Sequence, residues 1–227
     1  MKNIKILIGC EESQAVCIEF RKLGIEAYSC DLLPCSGGHP EWHFKQDIFE
    51  VLRGGQLITE NGLEIKIDFW TFMCGHPECT RLTVAANKYY KPEYAERFPT
   101  INQDREIAVE FFMKLINANV KHIAIENPIG IMSSRYRKPD QVIQPYQFGD
   151  PERKGTCLWL KNLPKLVATN IVEPDIIVHK SGRTDSRLHF ETLKLPKEER
   201  RKARSKTFPG IAKAMAEQWG KYLMDQS

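Results

Sequence analysis

Two side chains in this sequence could act together as a nucleophile and an acid. The first is Cys79, in Phe72-Met73-Cys74-Gly75-His76-Pro77-Glu78-Cys79-Thr80-Arg81-Leu82-Thr83, where an apolar run breaks into a polar, proline-containing loop. The second is Glu126, in His122-Ile123-Ala124-Ile125-Glu126-Asn127-Pro128-Ile129-Gly130, where another short apolar run meets a carboxyl, an amide and a proline. A thiolate can add to an electron-poor ring, and a carboxylic acid beside it can protonate the ring atom that receives the displaced electrons. That chemistry requires both groups in one pocket.

The flanking runs are the elements that would bring them there. Residues 65–73 are few and rich in Ile, Phe and Trp, which reads as one buried strand of a parallel sheet and not as a helix. Residues 122–125 read as a second such strand. Open α/β sheets carry their ligands beyond the carboxyl ends of the strands. If these two strands are neighbours, Cys79 and Glu126 share an edge. Between them, residues 102–117 carry Ile107, Phe111, Phe112, Leu115 and Ile116 at helical spacing, the pattern of an amphipathic crossover helix whose phenylalanines form core.

The chain opens as strand, tight turn and helix: apolar residues 4–8, then Gly9-Cys10-Glu11-Glu12-Ser13, then a helix over 14–23 with Val16, Ile18, Phe20 and Leu23 and a stop at Gly24. A second strand, 26–30, ends at Asp31, where Rossmann-like folds place an acid that accepts from ribose hydroxyls. The loop that follows contains Cys30, Cys35, His39 and His43 at spacings that a zinc ion tolerates, although none forms a standard knuckle. No metal is expected there, and the loop reads as a cover for a bound cofactor or base. Gly54-Gly55 and Asn61-Gly62 mark a small hairpin or turn within 51–64. In 87–99, Lys88, Tyr89, Tyr90, Lys91 and Tyr94 interleave aromatics with cations. That suits either contact with a nucleic acid or packing of the loop on its own domain.

With 227 residues, 42% hydrophobic and 27% charged, the chain has the composition of an ordinary globular protein able to bury a core. Its net charge of +4 permits a polyanionic partner, and Lys197, Arg200, Arg201, Lys202, Arg204 and Lys206 crowd one late segment. No apolar stretch is long enough to span a membrane, and the first residues lead into a strand-like segment without a signal peptide. A cytoplasmic protein with reduced cysteines is the expectation, since seven cysteines at irregular spacing make no disulfide framework.

The succession of strand and turn, Asp31, Gln46-Asp47-Ile48, Pro77-Glu78-Cys79, Glu126-Asn127-Pro128, the segment around Arg153-Lys154-Gly155-Thr156 and Thr207-Phe208-Pro209-Gly210 before a last helix resembles the cytosine carbon-5 DNA methyltransferases. The likeness is to a short member of bacterial or phage type without a large target-recognition domain. It implies an α/β, Rossmann-like class I methyltransferase fold with a mostly parallel seven-stranded sheet and helices on both faces. It also implies one domain over 1–227 with insertions at about 32–64, 84–100 and 165–203. The implied activity is S-adenosylmethionine-dependent methylation of cytosine carbon 5 in DNA, in the host cytoplasm if a phage encodes the chain.

In that likeness Cys79, preceded by Pro77, adds to carbon 6, protonated Glu126 assists at ring nitrogen 3, and Asn127 holds Glu126 and the loop in place. Gly9, Glu11, Ser13, Asp31, Asp47 and His76 would face S-adenosylmethionine, with the acidic turn opposite its sulfonium and amino groups. Thr80, Arg81, Arg135, Arg137, Lys154 and Thr156 would face DNA. The sequence departs from the family in the first turn, where only Gly9 remains of the usual glycines, and at Glu78, which replaces a proline and should raise the thiol pKa. The short stretch between Trp159 and Arg204 leaves target recognition to a few loops or to a second protein subunit. Two other readings stay open: a catalytically impaired DNA-binding homologue, and the same adduct chemistry used on a nucleotide or for another carbon-5 group transfer.

Overall fold

The computed structural model describes residues 4–226. Seven short strands form one sheet: β1 (Lys5–Gly9), β2 (Glu26–Asp31), β3 (His43–Lys45), β4 (Phe72–Gly75), β5 (His122–Pro128), β6 (Gln141–Ile143) and β7 (Thr156–Lys161). They lie in the order β3-β2-β1-β4-β5-β7-β6. Neighbours from β3 to β5 pair in parallel, whereas β7 runs antiparallel to both β5 and β6. This is the Rossmann-like class I methyltransferase fold, a mostly parallel sheet with one reversed strand.

The helices are α1 (Ala15–Lys22), α2 (Ile48–Leu52), α3 (Ile101–Ile116), α4 (Met132–Arg135), α5 (Arg187–Thr192), α6 (Lys197–Ser205), α7 (Pro209–Ala214) and α8 (Gly220–Gln226). A single π turn, Met215–Trp219, joins α7 to α8. Because side chains alternate along a strand, each central strand feeds two cores. Ile6, Ile8, Phe72, Cys74, Ala124 and Leu158 pack with Val16 and Phe20 of α1 and with Ile211 and Trp219. Leu7, Met73, Ile123, Ile125 and Trp159 pack on the other face with Ile48, Phe112 and Leu115. Burial on both faces explains why these strands read as continuous apolar runs.

Three expectations are corrected. Residues 65–73 are not one strand: Glu64–Ile67 pairs with Gly55–Ile58 as a separate two-stranded hairpin, and β4 begins only at Phe72. Asp68, paired with Lys66 at 3.4 Å, carries a charge that a strand buried on both faces cannot hold. The chain bends there, leaving Phe69 63% exposed and turning Trp70 inward to donate to Val51 O at 2.9 Å. In α3 the buried stripe is Val109, Phe112, Leu115 and Ile116, with Phe111 packed against it, and Ile107, read as part of the apolar face, is 59% exposed. Finally, β5 runs through Pro128, so Glu126 lies within the strand, opposite Leu158, and not in the loop after it.

The segments between these elements hold short ones of their own. Residues 84–94 form two 3-10 turns, Val84–Tyr90 and Pro92–Tyr94, whose Tyr89 packs edge-on against Tyr94 and Phe98. Residues 176–205 contain the hairpin Ile176–Val178 with Thr184–Ser186, followed by α5 and α6.

Candidate active site

β4 and β5 are adjacent and parallel, with Gly75 opposite Ile125, so the segments leaving them emerge at one edge. Asn127 locks the two together: its amide Nδ2 donates to Pro77 O at 2.9 Å from a fully buried position. Beyond Cys79 the chain turns at once, with Cys79 O accepting from Leu82 N and Thr83 N, both at 3.0 Å. It then zips onto the segment after β5 through Val84 N to Ile129 O and Ile131 N to Leu82 O. Gly130 makes that approach feasible, since a Cβ there would sit 2.0 Å from Leu82 O. Cys79 is thereby held, half-buried, beside Glu126.

Charges crowd this edge. Burial raises the Cys79 thiol pKa, Glu126 and Glu78 raise it further, and the Lys154 ammonium opposes them. Lys154 is itself fixed by donating to Arg204 O at 2.7 Å. Burial works to raise the Glu126 pKa too, but His76, Lys154 and a hydrogen bond with Thr156 outweigh it and hold the carboxyl below its usual range. His76 Nδ1 lies 3.4 Å from Glu126 Oε2, and Nε2 lies 3.6 Å from Cys74 Sγ. Cys74 and His76 are two residues apart leaving one strand. That alternation is the signal in the sequence that they share a face.

Replacing Lys154 by methionine should push the Cys79 pKa higher still, because the cation that favours the thiolate is gone. The pH dependence of iodoacetamide labelling at Cys79 reads this directly: the labelling curve should move to higher pH in Lys154→Met.

A second cluster gathers at the carboxyl ends of β1 and β2. Burial, with the Asp31 and Asp47 carboxylates behind it, pushes the Cys10 thiol up to about 12, which brings these three residues into one neighbourhood. Asp31 Oδ1 accepts from Leu33 N at 3.0 Å, and Asp47 caps α2 by accepting from Phe49 N at 2.7 Å. Cys10 has φ 60 and Gln14 φ 58, so two non-glycine residues adopt the left-handed conformation in this glycine-poor turn. Nothing local in the sequence marks Cys10 as a thiol that two distant aspartates flank.

Several residues expected toward the cofactor also make contacts within the protein. Glu11 does not face outward: its carboxylate accepts from Val16 N at 2.7 Å and Cys17 N at 3.2 Å, satisfying the first turn of α1. Glu11→Ala should cost about 0.5–2 kcal/mol, the usual range for a lost helix cap, seen as a lower Tm. Gly9 lies under α2, where an added Cβ would sit 2.0 Å from Ile48 Cδ1 and the Ile48 side chain would have to shift. Ser13 is half-buried beneath the following loop, where Ser36 N donates to Glu12 O at 2.7 Å. His76, expected toward the cofactor, has its ring between Cys74 and Glu126.

The substrate-side residues divide. Lys154 and Thr156 lie at Glu126. Thr80 donates to Glu78 Oε1 at 2.8 Å, and Glu78 also meets Arg201 of α6 at 3.6 Å, so the residue that replaces the family's proline ties the nucleophile loop to the basic helix. Arg81 pairs with Asp104 at 2.8 Å, and Arg135 makes a two-pronged pair with Glu106, both acids on α3. Arg137 is a correction: its guanidinium binds Leu160 O at 3.2 Å and Asp140 at 2.7 Å, toward the amino end of β5 and away from Cys79. Only the antiparallel run of β7 puts it there.

The residues of the zinc alternative make other contacts. His43 bonds Ser29 Oγ at 2.8 Å and Leu33 O at 2.9 Å, Cys30 Sγ donates to Gln46 O, and His39 stacks on Trp42 with ring centroids 3.9 Å apart. Among the described residues no group of three or more His, Cys, Asp or Glu side chains is placed to hold a metal ion. The loop instead packs onto the start of α1. Gln14 pins it there, donating to His39 O at 2.9 Å and accepting from His39 N at 3.1 Å.

All seven cysteines are free. Among the described residues no helix is long and apolar enough to cross a membrane. No family model and no curated protein matches the sequence. Among solved structures, a candidate DNA modification methyltransferase encoded within an E. coli prophage aligns over 76% of this chain and 52% of its own, at 10% identity and TM-score 0.44. A methyltransferase of Entamoeba histolytica, EhMeth, aligns over 78% and 59%, at 13% identity and TM-score 0.41. The chain thus spans little more than half the length of either. Likeness at this level adds nothing to what the strand order already shows.

Proposed function

We propose that this chain methylates carbon 5 of cytosine in DNA, with S-adenosylmethionine as donor and Cys79 as transient nucleophile. The observation that supports the proposal is the closeness of Cys79, in the loop after β4, and Glu126, on the neighbouring β5, with Asn127 bonded to Pro77 between them. The donor set at the ends of β1 and β2 fits the cofactor: Asp31 offers carboxylate oxygens to ribose hydroxyls, and Asp47, at the start of α2, offers one to an amino group. S-adenosylmethionine, when bound, supplies an electrophilic methyl group.

The protein's own residues prepare the base. The Cys79 thiolate forms a bond to carbon 6, the carbon 5–carbon 6 double bond opens, and the electrons pass through the ring to nitrogen 3, which takes a proton at Glu126. Carbon 5 becomes nucleophilic as a result. Lys154 favours the thiolate and Thr156 orients the carboxyl. In duplex DNA the base must leave the stack, at a cost of a few kcal/mol. The cations of α6 and the adjoining Lys206 offer phosphate contacts beside the loop that Arg201 touches.

The test is transfer of a labelled methyl group to duplex DNA, single-stranded DNA and dCTP, with Cys79→Ala as control. Label on cytosine carbon 5 that is lost in the variant supports the proposal and identifies the substrate. Label on no substrate, or on the exocyclic amine, overturns it.

A further inference from the structure

We propose that His76 is the proton partner of Glu126, holding the proton that Glu126 delivers to nitrogen 3 of the target cytosine. This deepens the methyl-transfer reading and rests on it. The geometry is a relay: His76 Nδ1 stands 3.4 Å from Glu126 Oε2, with the side chains only 11% and 19% exposed. The backbone holds the ring in place, because His76 N donates to Gly9 O at 2.9 Å and so ties the end of β4 to β1.

The surroundings favour a charged ring. Cys74 faces Nε2 from β4, Glu126 faces Nδ1 from β5, and the Glu11 carboxyl acts on the ring from the turn after β1. Lys154 and Thr156, from the β7 side, act on Glu126, and Cys79 lies in the loop after β4. Burial disfavours the imidazolium, yet Cys74 and Glu126 prevail and raise the His76 pKa well above the usual value. With the ring charged, His76 and Glu126 form a buried neutral pair. With the ring neutral, an ionised Glu126 would be left in a dry site without that counter-charge.

A carboxylate held below its usual range can accept a proton but has none to give. The relay supplies one. As sulfur bonds to carbon 6 and electron density reaches nitrogen 3, the proton on His76 Nδ1 moves to Glu126 and the Glu126 proton moves to nitrogen 3. The thiol proton has already left to solvent. When carbon 5 has gained its methyl group and lost its proton to a base, the sulfur–carbon 6 bond breaks. The nitrogen 3 proton returns to Glu126, and His76 is protonated again. Charge and atoms balance over the cycle without any further reactant in the relay.

The test has two parts. Histidine NMR titration of the wild-type protein and of Glu126→Gln should show one ring, assigned through His76→Gln, that stays protonated well past neutral pH and titrates lower in Glu126→Gln. A His76 ring that titrates like an exposed histidine overturns the proposal whether or not the protein methylates anything. In methyl-transfer assays, His76→Gln should lower kcat about 100-fold with KM for DNA little changed, and should remove the fall in rate at alkaline pH. Active wild-type protein with an unchanged His76→Gln profile defeats only the relay. Wild-type protein that transfers no methyl defeats the methyl-transfer reading and the relay's catalytic role with it. If His76→Gln fails to fold, the ring is assigned by selective isotope labelling, and the comparison of wild type with Glu126→Gln still decides.

Discussion

On the proposed mechanism, Cys79→Ala is expected to reduce methyl transfer at least about a thousand-fold, because Cys79 forms the bond to carbon 6 on which the nucleophilicity of carbon 5 depends. Neither neighbouring thiol is a ready substitute: Cys10 is pushed up to about 12 and lies with Asp31 and Asp47, and Cys157, on which Glu126 acts, is buried and pushed up to about 11. The variant should fold normally. Cys79 is half-buried, and the loop around it is held by backbone bonds and by Asn127, none of which uses the thiol. The measurement is labelled methyl transfer together with a thermal melt: loss of transfer at an unchanged Tm is the expected pair of results. Residual transfer within tenfold of wild type would mean that the methyl group reaches its acceptor without the adduct.

Glu126→Gln is expected to lower kcat by about 10²–10⁴-fold, the usual contribution of a positioned acid, and unlike Cys79→Ala it should also change stability. Its pH dependence follows from the two shifts. The His76 pKa is raised in the folded protein, so its contribution to stability is full below the ordinary histidine value and is lost as pH rises through the raised one. The Glu126 pKa is lowered, so its contribution is present above the ordinary carboxyl value and is lost as pH falls through the lowered one. The wild type should therefore exceed the variant in Tm most clearly near and somewhat below neutral pH, with the gap closing toward both extremes. The loss should be smaller than the about 3–5 kcal/mol of a broken buried pair of fixed charges, because the imidazole can shed its proton. Melts of both proteins from acid to alkaline pH check the shape, and a gap that is constant across pH would show that the two side chains are not coupled.

The candidate residues Cys79 and Glu126 stand out in the sequence because each lies at a local change of pattern. Cys79 and Glu126 mark places where apolar runs meet polar, proline-containing segments, and such runs follow from strands buried on both faces. The strand, turn and helix at the start were visible for the same reason, as was the β5 run. Where local pattern misled, a longer-range contact had intervened. The run 65–73 looked continuous, but its first part pairs in a separate hairpin. Glu11 sits in an acidic turn that looked suited to a cofactor, yet its nearest unpaired donors were the N–H groups at the start of α1.

The sequence by itself thus determined which groups could react and on which short strands they would ride, since side-chain alternation and burial are properties of a few consecutive residues. It could not decide which of those strands are neighbours. That question settled everything else: β4 beside β5 brings Cys79, His76, Glu126 and Asn127 together, and the reversed run of β7 brings Lys154 and Thr156 to the same edge while carrying Arg137 to the other. Register and strand order are set by pairing between residues far apart in the chain, as between Gly75 and Ile125. The assembled sheet makes that choice, because no segment of the chain contains both partners.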